Sequence, residues 1–93
     1  MVDARELLLD PRAVLTRLCV RLGLRFEEAM LSWEAGPKPE DGVWAPHWYA
    51  NVHRSTGFLP YRRKTAPFPE PLRPLLDRCR PLYERLLERA VRA

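Results

Sequence analysis

Both histidines of the chain, His47 and His53, fall inside one fifteen-residue stretch, Trp44 to Phe58, which reads WAPHWYANVHRSTGF. The same stretch holds Ser55, Thr56 and four aromatic side chains, Trp44, Trp48, Tyr49 and Phe58. Imidazoles near their unperturbed titration range can serve as general bases, and His–His or Cys–His pairs can ligate a metal. Spacing argues against the metal. His47 and His53 are six residues apart and face different sides of any helix between them. Cys19 and Cys79 form no CxxC and no Cys/His pattern. A Ser/His nucleophile is equally unsupported: Ser55 and His53 lie too close along the chain, and no G-x-S-x-G elbow is present. Glu27 and Glu28 are adjacent on an expected helix and do not make an acid/base pair. No GxxxxGK[ST] or GxGxxG loop occurs in the 93 residues. These residues by themselves do not argue a stand-alone enzyme.

The elements that position this stretch follow from periodicity and capping. Asp10 can cap, Pro11 suits a first helical position, and Val14, Leu15, Leu18, Cys19 and Leu22 recur at helical spacing. Gly23 is a natural left-handed stop. A short helix is possible over Ala4–Leu9, and Val2-Asp3 could be the tail of a strand. FEEAMLSW, Phe26 to Trp33, predicts a second short helix. AGPKPEDGV is a loop. Trp44 to Thr56 predicts a helix started by Pro46 and ended by Gly57, and FLPYRRKTAPFPEP, with four prolines, is extended or turned.

The closing segment, from Leu72, carries a wide apolar stripe: Leu72, Leu75, Leu76, Cys79, Leu82, Tyr83, Leu86, Leu87, Ala90 and Val91. Glu84 and Glu88 are spaced to pair with Arg85, Arg89 and Arg92. Pro81 removes one helical bond and predicts a kink near Arg80. Both cysteines sit on apolar stripes and are expected buried and reduced. The fold class is mostly α: about four helices joined by proline-rich loops, few or no strands, and one domain over residues 1–93.

Composition sets the wider bounds. Hydrophobic residues are 46% and charged residues 30% of the chain, which fits a globular protein rather than a disordered one. No apolar run approaches a membrane span and no secretory signal opens the chain, so a cytoplasmic protein is expected. The net charge of +4 rests on fourteen arginines and only two lysines, Lys38 and Lys64. The arginines are interspersed with acids, and the one true basic cluster is Arg62-Arg63-Lys64, so nucleic-acid binding is a minor reading.

Two segments carry a family resemblance. VDARELLLDPRAVLTRLCVRLGLRFEEAML resembles P-loop sulfotransferases through Asp3, Leu7, Asp10, Pro11, Leu18, Cys19, Leu22, Gly23, Leu24 and Phe26. LSWEAGPKPEDGVWAPHWYANVHRSTGF, followed by CRPLYERL, is similar to a sulfotransferase-like branch common in bacteria and sometimes labelled branched-chain amino-acid aminotransferase-like. The resemblance implies the C-terminal part of an α/β domain, whose P-loop part binds 3′-phosphoadenosine 5′-phosphosulfate and transfers its sulfo group to a hydroxyl or amine. It also implies that Met1 is an internal start or that the reading frame is truncated. The phosphate-binding P-R-S-G-S-T loop of that family is not among these residues, so the implied segment is inactive alone. By chain order, the family's C-terminal contact to the 3′-phosphate falls near Arg54, Ser55, Thr56 and Gly57. An arginine fork, two hydroxyls and a glycine N–H suit a phosphate, although the family's R-K-G motif is not present. Trp33, Trp44 and Trp48 are either packing residues or an acceptor pocket. The implied partner is the P-loop part. The residues themselves leave a homo-oligomer through Leu72, Leu75, Leu76, Cys79, Leu82, Tyr83 and Leu86 as the alternative.

Overall fold

The computed structural model describes all residues, 1–93. Five α-helices, α1 (Ala4–Leu9), α2 (Pro11–Leu22), α3 (Ala45–Trp48), α4 (Ala50–Arg54) and α5 (Arg73–Leu87), are joined by 3-10 turns at Glu28–Leu31, Pro39–Asp41 and Glu70–Leu72. There are no strands, only a parallel bridge between Val2 and Val91 and an antiparallel bridge between Ser32 and Gly57. The mostly helical class expected from sequence therefore holds, and of the two residues read as a strand tail Val2 makes a single bridge, to Val91.

The first two helices form where capping chemistry is strongest. Asp3 Oδ1 accepts from the backbone N–H of Arg5 at 2.9 Å and of Glu6 at 3.3 Å, opening α1. Asp10 closes α1 through its own N–H and opens α2 by accepting from Ala13 N at 3.0 Å. Pro11 fills the first position of α2, where a missing N–H costs nothing. Gly23 ends the helix at φ 68°, a left-handed conformation that favours glycine, and its N–H reaches back to Cys19 and Val20 carbonyls. The two helices pack on each other and bury Val14 and Cys19.

Three expected elements differ. FEEAMLSW is not a helix. Glu27 is extended (φ −129°, ψ 140°), no side chain caps the following turn, and only Glu28–Leu31 coils, as a 3-10 turn. That turn is held to α2 from outside, by the Arg12 guanidinium forked on the Glu28 carboxylate and by the Cys19 thiol 3.9 Å from the Met30 sulfur. The helix expected over Trp44–Thr56 is two pieces. Pro46 does sit in the first turn, but Tyr49 (φ −104°, ψ 14°) leaves helical geometry, no side chain caps either piece, and Ser55 is already extended. Gly57 does not end a helix. It lies against Leu31, and a Cβ there would meet the Leu31 carbonyl at 3.1 Å.

Helix α5 runs without a break from Arg73 to Leu87 across Pro81, with Pro74 in its first turn as expected. Its pairing of Glu84 and Glu88 with neighbouring arginines is not made; the ion pairs are Arg12–Glu28, Arg25–Glu27, Asp41–His53 and Arg73–Glu70. Nor is Cys79 buried. Leu76 and Leu87 are half-buried, whereas Cys79 lies on the neighbouring row of the same helix and is exposed. The helix docks at its far end, where Val91 N–H donates to the Met1 carbonyl at 3.0 Å and the Tyr83 hydroxyl donates to Asp3.

Only Val14, Cys19, Ala45, Ala90 and Val91 are buried, and of these only Val14 is fully so. The radius of gyration is 16.4 Å, against about 12 Å for a compact domain of this length. The accessible surface is 8278 Å², whereas a folded monomer of this mass exposes about 5,600 Å². No helix is long and apolar enough to cross a membrane.

Candidate functional site

The stretch singled out by its residue types is stitched to the loop before it. Trp33 is the hub. Its indole Nε1–H donates to Ser55 Oγ at 2.9 Å, its backbone N–H donates to the Thr56 carbonyl at 2.9 Å, and its ring meets Phe58 edge-on at 5.3 Å. Trp33 therefore packs, as one of its two expected roles had it, and it does so by using up much of the Ser55 hydroxyl, which also donates to the Val52 carbonyl at 2.7 Å.

A second stitch lies farther along. Asp41 Oδ2 sits 2.9 Å from His53 Nε2 and accepts from the Lys38 backbone N–H at 2.7 Å. The Gly36 N–H donates to the His53 carbonyl at 2.6 Å. These bonds close the GPKPEDG loop onto α4. The Lys38 N–H, and after it His53, hold the Asp41 carboxyl below its ordinary range. The pair is also the only sheltered one: the His53 and Asp41 side chains are 19% and 22% exposed, while at least one member of every other ion pair is more than half exposed. Beside it opens a cleft of about 570 Å³ lined by Lys38, Asp41, Val43, Pro46 and His53 among others. Sequence reasoning did not find Asp41. Its partner is twelve residues away, and PEDG carries only a turn signal.

The four candidate ligand residues fall at one place, the end of α4 and the extended segment after it. They are not equally available. Arg54 is exposed and gives one N–H to Asn51 Oδ1 at 2.6 Å, leaving most of its fork for another acceptor. Thr56 is exposed. Ser55 is committed to Trp33 and Val52, and Gly57 to its close approach to Leu31. Two side chains thus suit an anion, and the other two hold the turn that presents them. Trp44 and Trp48 are 70% and 76% exposed and, with Tyr49, line an open cleft of about 380 Å³. His47 is exposed and pairs loosely with the Trp44 ring. The two histidines do not approach a common metal site, and no cluster of three ligating side chains exists anywhere in the chain.

A family model described as a sulfotransferase domain matches residues 1–90. The chain belongs to the sulfotransferase domain family. Two curated proteins of Arabidopsis thaliana, branched-chain-amino-acid aminotransferase-like proteins 2 and 1, are each 49% identical to it over 83 residues, 89% of this chain. The chain spans only 15% of the length of these relatives. No solved structure matches it. Within the sulfotransferase-domain match lie both stitched segments and all four candidate ligand residues.

Proposed function

We propose that this chain supplies the C-terminal part of a sulfotransferase, transferring a sulfo group from 3′-phosphoadenosine 5′-phosphosulfate to a hydroxyl or amine, and that it works only against a P-loop-bearing part. The observation that carries the reading is the sulfotransferase-domain match over residues 1–90. Two features support the need for a second part. The 93 residues contain no phosphate-cradling loop, and the chain exposes about 2,700 Å² more than a folded monomer of its mass.

In this reading Arg54 and Thr56 would hold a phosphate of the nucleotide. The guanidinium offers a charged fork and the threonine a hydroxyl donor, the donor types that suit a phosphate. Trp33 and Ser55 set the turn that carries them. Trp44, Trp48 and Tyr49 would meet the P-loop part or the acceptor. The aminotransferase-like name belongs to plant proteins of which the matched region is 15%, and it lends this segment no transamination chemistry. The test is a chimera in which the matched 83-residue region of plant protein 2 is replaced by the present one. It is assayed for transfer of labelled sulfo groups to a panel of phenols, alcohols and amines. Transfer that requires the grafted region supports the proposal; a folded chimera that transfers to none of them rejects it.

A further inference from the structure

A cleft of about 530 Å³ lies where the two ends of the chain meet, walled by Arg17, Val20 and Arg21 of α2 and by Glu88, Ala90 and Arg92 of the closing segment. It shares no residue with the Arg54 turn or with the Asp41–His53 stitch. Arg17 and Arg21 stand four residues apart on α2 and so share a face. Arg92 joins them because Val91 N–H donates to the Met1 carbonyl at 3.0 Å and Val2 bridges Val91. Arg21 Nη1 in turn reaches the Arg89 carbonyl at 3.5 Å. Three guanidinium groups from the two ends of the sequence are thus gathered at one concavity.

Gathering like charges is unfavourable unless an opposite charge is near, and the chain supplies little. Its ion pairs use Arg12, Arg25, Arg73 and His53, and none of the three cleft arginines. The arginine side chains that donate hydrogen bonds are Arg12, Arg21, Arg25, Arg54 and Arg73, so Arg17 and Arg92 keep all their donors. Glu88 is the one acidic side chain on the wall and pairs with none of them.

We infer that this cleft binds the phosphate dianion of a small phosphomonoester. Three guanidinium groups against one carboxylate leave two positive charges, the complement of that dianion. The planar guanidinium fork matches phosphate oxygens in pairs, and a concave wall of one sign concentrates the attraction. The cleft is far larger than one phosphate group and falls within the range of small-molecule sites. Val20, 74% exposed, gives an apolar wall beside the arginines for the organic part of the ester. All three arginines are exposed, so binding is weak and is screened by salt.

The inference does not rest on the sulfotransferase reading, and its test uses the 93-residue chain as it stands. Phenyl phosphate is titrated at low ionic strength and about pH 7.5, where a phosphomonoester is mostly a dianion, and followed by amide chemical shifts. Saturable binding with a dissociation constant on the order of 1 mM is expected, with the shifts centred on the end of α2 and on Glu88–Arg92. Phenyl sulfate, a monoanion of the same shape, should bind more weakly. Arg17→Gln combined with Arg92→Gln should weaken phenyl phosphate binding about tenfold or more. Should that pair unfold the chain, Arg17→Lys with Arg92→Lys keeps the charge, loses the forks and should weaken binding several-fold. Arg62→Gln with Arg63→Gln makes the same change in net charge in an exposed segment without helix or strand and should leave binding unchanged. Arg54→Ala should also leave it unchanged, which separates this site from the proposed nucleotide contact. Absence of saturable binding overturns the inference. So does phenyl sulfate binding as tightly as phenyl phosphate, or an equal loss in the Arg62/Arg63 control, which would mark attraction to net charge alone.

Discussion

The Asp41 carboxylate lies 2.9 Å from the His53 imidazole, and this pair, twelve residues apart in sequence, decides how the GPKPEDG loop sits on α4. Asp41 is held below its ordinary value of 3.8, first by the Lys38 N–H and then by His53. A carboxyl whose value is lowered by folding stabilises the fold above its unfolded value and stops doing so as pH falls through the folded one. The Asp41 contribution to loop closure should therefore be fully present above about pH 4 and be lost in more acid solution. Hydrogen exchange of the Gly36 amide, which is bonded to the His53 carbonyl, reads it directly. Asp41→Asn should speed that exchange at neutral pH and flatten its acid dependence.

Asp3 and Tyr83 form the complementary clasp between the chain's ends. The tyrosine hydroxyl holds the Asp3 carboxyl below 3.8, and the carboxylate in turn pushes the Tyr83 phenol above 10.0. The first contribution is lost as pH falls and Asp3 protonates. The second is present below the unfolded phenol value and is lost as pH rises through the folded one. The clasp thus works between about pH 4 and pH 10. In Tyr83→Phe both edges of the melting-temperature profile should flatten, as thermal scans across pH would show.

Ser55 is worth testing for its bond to Trp33 rather than for ligand chemistry. Ser55→Ala removes the acceptor of the indole N–H and should cost about 1 kcal/mol, a drop in melting temperature of roughly 4–8 °C for a chain of this size. Thr56→Ala, whose side chain is exposed, should change stability by less than about 0.5 kcal/mol.

The two thiols give a simple check on the α5 surface. Cys79 should react with a maleimide within minutes, and buried Cys19 should react only on the timescale of opening of α2. Equal rates would contradict the burial described above.

What could be read from sequence was local. Asp10, Pro11 and Gly23 marked α2 because capping is decided within four residues of a helix end. The apolar stripe of α5 was also legible, since periodicity needs no partner. The failures lie where tertiary contacts overrode a weak local preference. FEEAMLSW has helical spacing, but Arg12 and Cys19 gather its Glu28 and Met30 into a single turn. Trp44–Thr56 lacked a capping side chain and broke at Tyr49. The stripe predicts a buried Cys79, but a stripe does not say which of its rows is covered. At the candidate site, Arg54 to Gly57 are singled out by resemblance alone. Their division of labour was not legible, because it depends on Trp33 arriving from twenty-two residues before Ser55. Asp41 was missed for the same reason.

The proposed nucleotide contact of Arg54 and its turn, made only with a P-loop part, is read by calorimetric titration of 3′-phosphoadenosine 5′-phosphate. The 93-residue chain alone should bind it weakly or not at all, and the chimera in the plant relative should bind it measurably. Arg54→Ala should weaken that binding by about ten-fold or more, the loss of a charge-assisted bond worth ~1.5–3 kcal/mol. Undiminished binding in the Arg54→Ala chimera, or a folded chimera that binds no nucleotide, would rule that contact out.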